Sequence, residues 1–168
     1  MSPPTENVVV RMAEMQVVKS TRERPVTLKT TLGSCVGIIL ADRLNQVYGL
    51  AHVMLPEKVP GDQTPGKYAD SAVPALVALI EQLAGGPAGK LEAFLVGGAA
   101  MFEASGLSDI GERNVRIAYQ AVGRLGIPVV FDDTGGSLGR TVLFDCQSAT
   151  VSVKTLKRLE PAGRAGKQ

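Results

Sequence analysis

Two residue types in this 168-residue chain can do nucleophilic and proton-transfer chemistry near neutral pH: cysteine, present as Cys35 and Cys146, and histidine, present only as His52. Cys35 lies in Thr30-Thr31-Leu32-Gly33-Ser34-Cys35-Val36-Gly37, and His52 follows in Ala51-His52-Val53-Met54-Leu55-Pro56. A thiol is a poor nucleophile and a thiolate a good one, and a neighbouring imidazole can take the thiol proton. The same imidazole can then protonate a leaving amine, so such a pair suits acyl transfer from an amide. A third group normally orients the imidazole. Gly33 and Gly37 flank the cysteine, and the Gly33-Ser34 backbone offers close approach to a substrate and N–H groups for an oxyanion. The structural alternative is a buried apolar thiol and a core histidine. Residue types and spacing alone leave both readings open. Cys146 lies in Asp145-Cys146-Gln147-Ser148, reads as a turn residue, and has no second histidine to work with.

The elements around the pair must bring it together. Apolar, β-branched runs at 36–41 and 47–55 flank Asp42-Arg43-Leu44-Asn45-Gln46 and predict a β-hairpin. A turn centred near Leu44 sets Cys35 opposite Val53, next to His52, and a slip of one residue sets it opposite His52 itself. Both hairpin strands are apolar on both faces, so both faces must be covered. Further strands are expected at 13–19, 26–30, 91–96, 127–131, 140–144 and 150–154, with residues 8–10 as a short strand or lead-in. Apolar residues Val73, Leu76, Val77, Ile80 and Leu83 mark one helix over 72–83. Val115, Ala118, Tyr119, Val122 and Leu125 mark a second over 111–125. Asn114 reads equally as a helix cap, a solvated residue or a pin for a neighbouring loop. Between hairpin and first helix, 56–69 reads as a long irregular loop, rich in proline and glycine, with Lys67 and Tyr68 as candidate substrate contacts. Asp132-Asp133-Thr134-Gly135-Gly136 reads as an acidic turn that pairs with Arg140. The fold class that follows is a layered α/β (α+β) single domain, with a β-sandwich-like sheet core and two main flanking helices. The domain is expected over 8–159, with irregular ends at 1–7 and 160–168.

Composition bounds the function. Apolar residues make up 45% and charged residues 20%, ordinary for a globular domain, and the net charge is only +2. Positive charge gathers at the tail, where charge runs are usually solvated, and aromatics are 4% with no tryptophan, so nucleic-acid binding is not expected. No apolar run reaches spanning length, and the N-terminus lacks a signal-peptide pattern, so a cytoplasmic location without direct membrane insertion is expected. Two distant cysteines form no disulfide framework, and a single histidine makes a closed zinc site a poor fit. Neither a metal nor a cofactor is expected.

Leu32-Gly33-Ser34-Cys35-Val36 with Ala51-His52-Val53-Met54-Leu55-Pro56 resembles the CheD family, the chemoreceptor glutamine deamidases of bacterial and archaeal chemotaxis. Val96-Gly97-Gly98-Ala99 with Met101-Phe102, Ile110-Gly111-Glu112-Arg113-Asn114, and Asp133-Thr134-Gly135-Gly136 with Gly139-Arg140 extend the likeness over about residues 8–156. The resemblance implies an enzyme that converts glutamine side chains of methyl-accepting chemotaxis receptors to glutamate, with Cys35 as nucleophile and His52 as proton shuttle. It implies the phosphatase CheC as a partner where present, with Phe102 in the docking region, and recruitment to receptor arrays at the inner face of the membrane. A secondary receptor esterase activity stays open. The alternative function is a non-catalytic regulatory module for CheC, and a thiol protease would use the same nucleophile. The family also uses a threonine, six positions before the cysteine; Lys29 occupies that position here, and Thr30 and Thr31 are the nearby threonines. In an unbroken strand Thr31, Gly33 and Cys35 share a face. A tight turn at Gly33 resets that parity and favours Thr30 as hydrogen-bond partner of His52. The structural alternative is that both threonines simply fill strand positions.

Overall fold

The computed structural model describes residues 2–101 and 109–157. Phe102 and the tail at 160–168 fall outside the described residues. In chain order the elements are β1 (Glu6–Val9), β2 (Met15–Lys19), β3 (Val26–Leu32), β4 (Val36–Asp42), β5 (Val47–Val53), α1 (Ala69–Ala84), β6 (Leu91–Gly97), α2 (Ile110–Arg124), β7 (Val129–Thr134), β8 (Arg140–Asp145) and β9 (Thr150–Thr155). They form a four-stranded sheet, β1-β3-β8-β9, and a five-stranded sheet, β2-β5-β4-β6-β7. β1 takes in Glu6 and Asn7, inside the stretch expected to be irregular, because it pairs in parallel with β3 from Glu6↔Val26 onward.

The two faces of the β4–β5 hairpin explain the layering. Val36, Ile38, Leu40, Val47, Ala51 and Val53 pack with Leu76 and Ile80 of α1 and Ala118 and Val122 of α2. Ile39, Ala41, Tyr48 and Leu50 face the other way, against Leu28, Val142 and Phe144 of the four-stranded sheet. Every residue of β4 and β5 is buried. The result is three layers: helices, the five-stranded sheet, then the four-stranded sheet. This is the α/β architecture with a sandwich-like core that the doubly apolar hairpin requires.

The hairpin register differs by one position from the expected one. Val36 pairs with Val53 and Gly37 with His52, so Cys35 stands just before the ladder rather than opposite Val53 or His52. The cause is the turn. Asp42 pairs with Val47 across a four-residue loop that ends on Gln46 in the left-handed region, at φ 58°. Buried Asp42 holds that loop by accepting from Asn45 N at 3.2 Å, Asn45 Nδ2 at 2.7 Å and Gly89 N at 3.0 Å.

Other elements depart from the expected ones as well. α1 begins at Ala69, three residues before the expected start, and the segment before it is irregular over 56–64 and closes in a short 3-10 turn. Pro65–Lys67 forms a 3-10 turn, and Lys67 O accepts from Met54 N and Leu55 N. A Cβ on Gly66 would lie 2.8 Å from Ala13 O, so this turn presses directly on the strand lead-in at 13–15. Tyr68 is buried, with its hydroxyl donating to Asp62, and is therefore a packing residue rather than an exposed substrate contact. β7 runs through Asp132, Asp133 and Thr134, which pair in parallel with Leu95, Val96 and Gly97, so these residues are strand and not turn. The buried stripe of α2 is Ile110, Gly111, Asn114, Ala118, Ala121 and Val122; Tyr119 and Leu125 of the expected stripe are exposed.

Candidate active site

β3 alternates strictly: Leu28, Thr30 and Leu32 are buried, and Lys29 and Thr31 are exposed. The strand ends at Leu32, and a bend over residues 33–35 follows before β4 starts. Thr30 thus enters the inter-sheet layer, while Thr31 stays outside, 3.3 Å from Thr141 Oγ1 on the neighbouring strand. His52 lies on the same face of β5 as Leu50, toward the four-stranded sheet. Its cross-strand partner Gly37 leaves room there, since a Cβ at Gly37 would lie 3.2 Å from Leu32 Cδ1 and 3.9 Å from Thr30 Cγ2.

Thr30 Oγ1 lies 2.7 Å from His52 Nδ1 and donates to Val10 O at 2.6 Å. A hydroxyl has one proton. With that proton on the Val10 carbonyl, Nδ1–H must be the donor to Thr30, and the lone pair is left on Nε2. The opposite tautomer would set two acceptor oxygens 2.6 Å apart with no proton between them. The main chain of His52 is fixed as well. Ala13 N donates to His52 O at 2.9 Å, and His52 N donates to Glu14 O at 3.0 Å. His52 is buried, and burial lowers its pKa from the ordinary 6.5, opposed in part by the Val10 carbonyl and Glu14.

Cys35 is half-buried and packs against the inter-sheet cluster. Burial raises its thiol pKa above the ordinary 9.0. Its bend is tied down through three consecutive carbonyls. Gly33 O accepts from Ala99 N at 3.0 Å, Ser34 O from Asn114 Nδ2 at 3.1 Å, and Cys35 O from Gly98 N at 2.8 Å. Only glycine suits the end of β6: Gly97 and Gly98 have φ of 104° and 69°, and a Cβ on Gly97 would lie 2.4 Å from Cys35 O. Asn114 Nδ2 also donates to Met54 O at 3.1 Å, so one side chain spans the residue before Cys35 and the chain just beyond His52. Of the readings the sequence allowed for Asn114, this is the pin. The role of the Val10 carbonyl has no local sequence signal, because the parallel β1–β3 pairing delivers it.

The remaining candidates make no hydrogen bond to Cys35 or His52 among the described residues. Cys146 is fully buried, with its thiol pKa pushed up to about 12 chiefly by burial. Arg140, expected to pair with the acidic segment, bonds Asp133 Oδ1 at 2.8 Å and Asp133 O at 2.6 Å, and also the Gly135 carbonyl, so it braces the β7–β8 connection. Among the described residues, no group of three or more His, Cys, Asp or Glu side chains gathers to hold a metal ion. No described helix is long and apolar enough to cross a membrane.

Cys35, on the bend just before β4, and His52, opposite Gly37 on β5, lie at the same end of the hairpin. Comparison gives the family. Residues 54–155 match the family model described as CheD chemotactic sensory transduction. The chain is 42% identical over 147 residues to a probable chemoreceptor glutamine deamidase CheD of Methanococcus vannielii, covering 86% of this chain and 92% of the relative. It is 42% identical over 159 residues to the protein of that name from Moorella thermoacetica, covering 91% and 93%. With the one from Geobacillus kaustophilus the identity is 44% over 156 residues, covering 88% and 92%. The chain belongs to the CheD family.

The buried, neutral imidazole predicts a pH dependence of stability. Unfolded, His52 titrates near 6.5; folded, it titrates lower. Its contribution is therefore complete above about 6.5 and is lost as pH falls through the folded value. Urea denaturation of wild type and His52→Gln should show the wild type losing more stability than the variant between about pH 7.5 and about pH 5. Equal losses in the two proteins would show that His52 carries no such linkage.

Proposed function

We propose that this protein hydrolyses the side-chain amide of glutamine residues in methyl-accepting chemotaxis receptors, with Cys35 as nucleophile, His52 as general base and acid, and Thr30 as the group that orients His52. The substrate class rests on the CheD relatives, named as probable chemoreceptor glutamine deamidases. The mechanism rests on one observation, the Thr30 hydroxyl held between Val10 O and His52 Nδ1, which leaves Nε2 free to accept a proton.

Burial disfavours the charged form of both partners, raising the thiol and lowering the imidazole. The resting pair is then a neutral thiol and a neutral imidazole, rather than a preformed ion pair. The thiol proton passes to Nε2 as sulfur attacks the carboxamide carbon; an S–C bond forms and the C=O π pair moves onto oxygen. The imidazolium returns that proton to the nitrogen, the C–N bond breaks, and ammonia leaves a γ-thioester. Water gives a proton to His52 Nε2 as it adds to the thioester; the C–S bond breaks, the imidazolium returns that proton to sulfur, and glutamate is released. The sum is glutamine plus water giving glutamate plus ammonia. Thr30 stabilises the transient imidazolium by accepting from Nδ1–H throughout.

Two tests follow. Intact-mass analysis of a receptor cytoplasmic fragment should show a gain of about one dalton per converted glutamine with the wild type and with Cys146→Ala, and none with Cys35→Ala. Deamidation by Cys35→Ala at a rate near wild type would contradict the reading. Thr30→Val keeps the branched shape and deletes the hydroxyl, and should lower kcat by at least about tenfold, whereas Thr31→Val on the outer face should change it by less than about twofold. A loss confined to Thr31→Val would move the orienting role to that residue.

A further inference from the structure

Resting on that reading, we infer that Asn114 is a positioning residue that builds the oxyanion site. It does so by rotating the Ser34–Cys35 peptide so that the Cys35 N–H points away from the α2 side, toward where the substrate carbonyl must sit.

The inference comes from where three carbonyls point. Gly33 O, Ser34 O and Cys35 O are each bonded to the β6–α2 side of the molecule, through Ala99 N, Asn114 Nδ2 and Gly98 N. No cis peptide occurs among the described residues. In a planar trans peptide, the C=O of one residue and the N–H of the next point in opposite directions. Fixing Gly33 O and Ser34 O on the α2 side therefore turns the Ser34 and Cys35 N–H groups to the opposite side. Among the described residues neither N–H meets an acceptor. Two adjacent N–H donors, one belonging to the nucleophile's own residue, are the arrangement that stabilises a tetrahedral oxyanion.

Of the three ties, two are backbone bonds that come with the end of β6. Only the middle one, which fixes the peptide carrying the Cys35 N–H, depends on a side chain. The side-chain type is demanding. Asn114 is fully buried, and its Nδ2 uses one hydrogen for Ser34 O and the other for Met54 O. A serine has one donor, and a lysine would bring a charge into a dry site. Reversing the amide would set Oδ1 against two carbonyl oxygens, so the acceptors fix its orientation. Oδ1 itself is buried with no partner among the described residues, a cost tolerated for the two donors.

The test separates oxyanion stabilisation from thiol activation. Alkylation by iodoacetamide displaces iodide at a saturated carbon and forms no oxyanion, but it still needs an accessible Cys35 thiolate. Asn114→Ala and Asn114→Ser should lower deamidation kcat on a receptor cytoplasmic fragment by about 10²-fold, the scale of losing one oxyanion donor, with KM within about threefold. Cys35 alkylation in the same variants should stay within about threefold of wild type across the pH profile. An unchanged kcat, or alkylation falling in step with kcat, overturns the inference. Should neither variant fold, wild type decides. The thioester carbonyl stretch of the acyl-enzyme formed with an activated glutaryl ester is expected below that of the same thioester on free cysteine, and an unshifted band overturns the inference. Deamidation that persists in Cys35→Ala defeats instead the reading on which this one rests.

Discussion

The hydroxyl of Thr30 has one proton, and two neighbours stand within hydrogen-bonding distance of its oxygen. Val10 O takes the proton at 2.6 Å, and His52 Nδ1 lies at 2.7 Å. The bond joins the two sheets, because Thr30 belongs to β3 and His52 to β5, while Val10 follows β1. A buried hydroxyl between Leu28 and Leu32 is costly unless paired, and a buried imidazole likewise; here each satisfies the other, and the carbonyl settles the direction. The tautomer of His52 is thus a property of the fold, set where the four-stranded sheet closes over the hairpin.

The same closure governs charge. A hairpin covered on both faces excludes water from the inner end of the site, which lowers the pKa of His52 and raises that of Cys35. Burial thus works against the charged form of both groups. The cysteine end of the site is made differently. Cys35 sits on a bend rather than in a strand, and the bend is held by two backbone N–H groups after β6 and one amide of α2. β6 can supply those N–H groups only because Gly97 and Gly98 accept positive φ and close approach. His52 is therefore held across the sheets by one side-chain hydroxyl and one backbone carbonyl, and Cys35 by backbone tied to the end of β6 and to α2.

Much of this was legible in the sequence, for physical reasons that differ by element. Period-2 alternation is strong in β3, and doubly apolar runs mark β4 and β5, so the sandwich-like core and its helical cover follow from residue types alone. The inward placement of Thr30 required one further step, a turn at Gly33 that breaks strand parity. The hairpin register departs by one residue from a turn centred on Leu44, because the turn depends on Gln46 adopting φ 58°, which no residue preference signals strongly. Apolar periodicity places the α2 stripe through Tyr119 and Leu125, because large apolar residues outweigh small ones in it. The helix in fact buries Ala118 and Ala121 and, with them, Asn114. A polar residue on a stripe of alanines was the available signal for Asn114. Asp132 and Asp133 read as turn from their type, yet parallel pairing with β6 keeps them in a strand, a tertiary preference that overrides local propensity.

The central claim is that Thr30 and Val10 hold His52 with its proton on Nδ1 and a bare Nε2. The chain has one histidine, so ¹⁵N labelling of histidine gives a single imidazole spectrum free of overlap. In the resting protein near neutral pH, the account predicts a pyrrole-like Nδ1 and a pyridine-like Nε2, with Thr30→Val shifting this balance toward the other tautomer. A wild-type spectrum with pyrrole-like Nε2 and pyridine-like Nδ1 would contradict it.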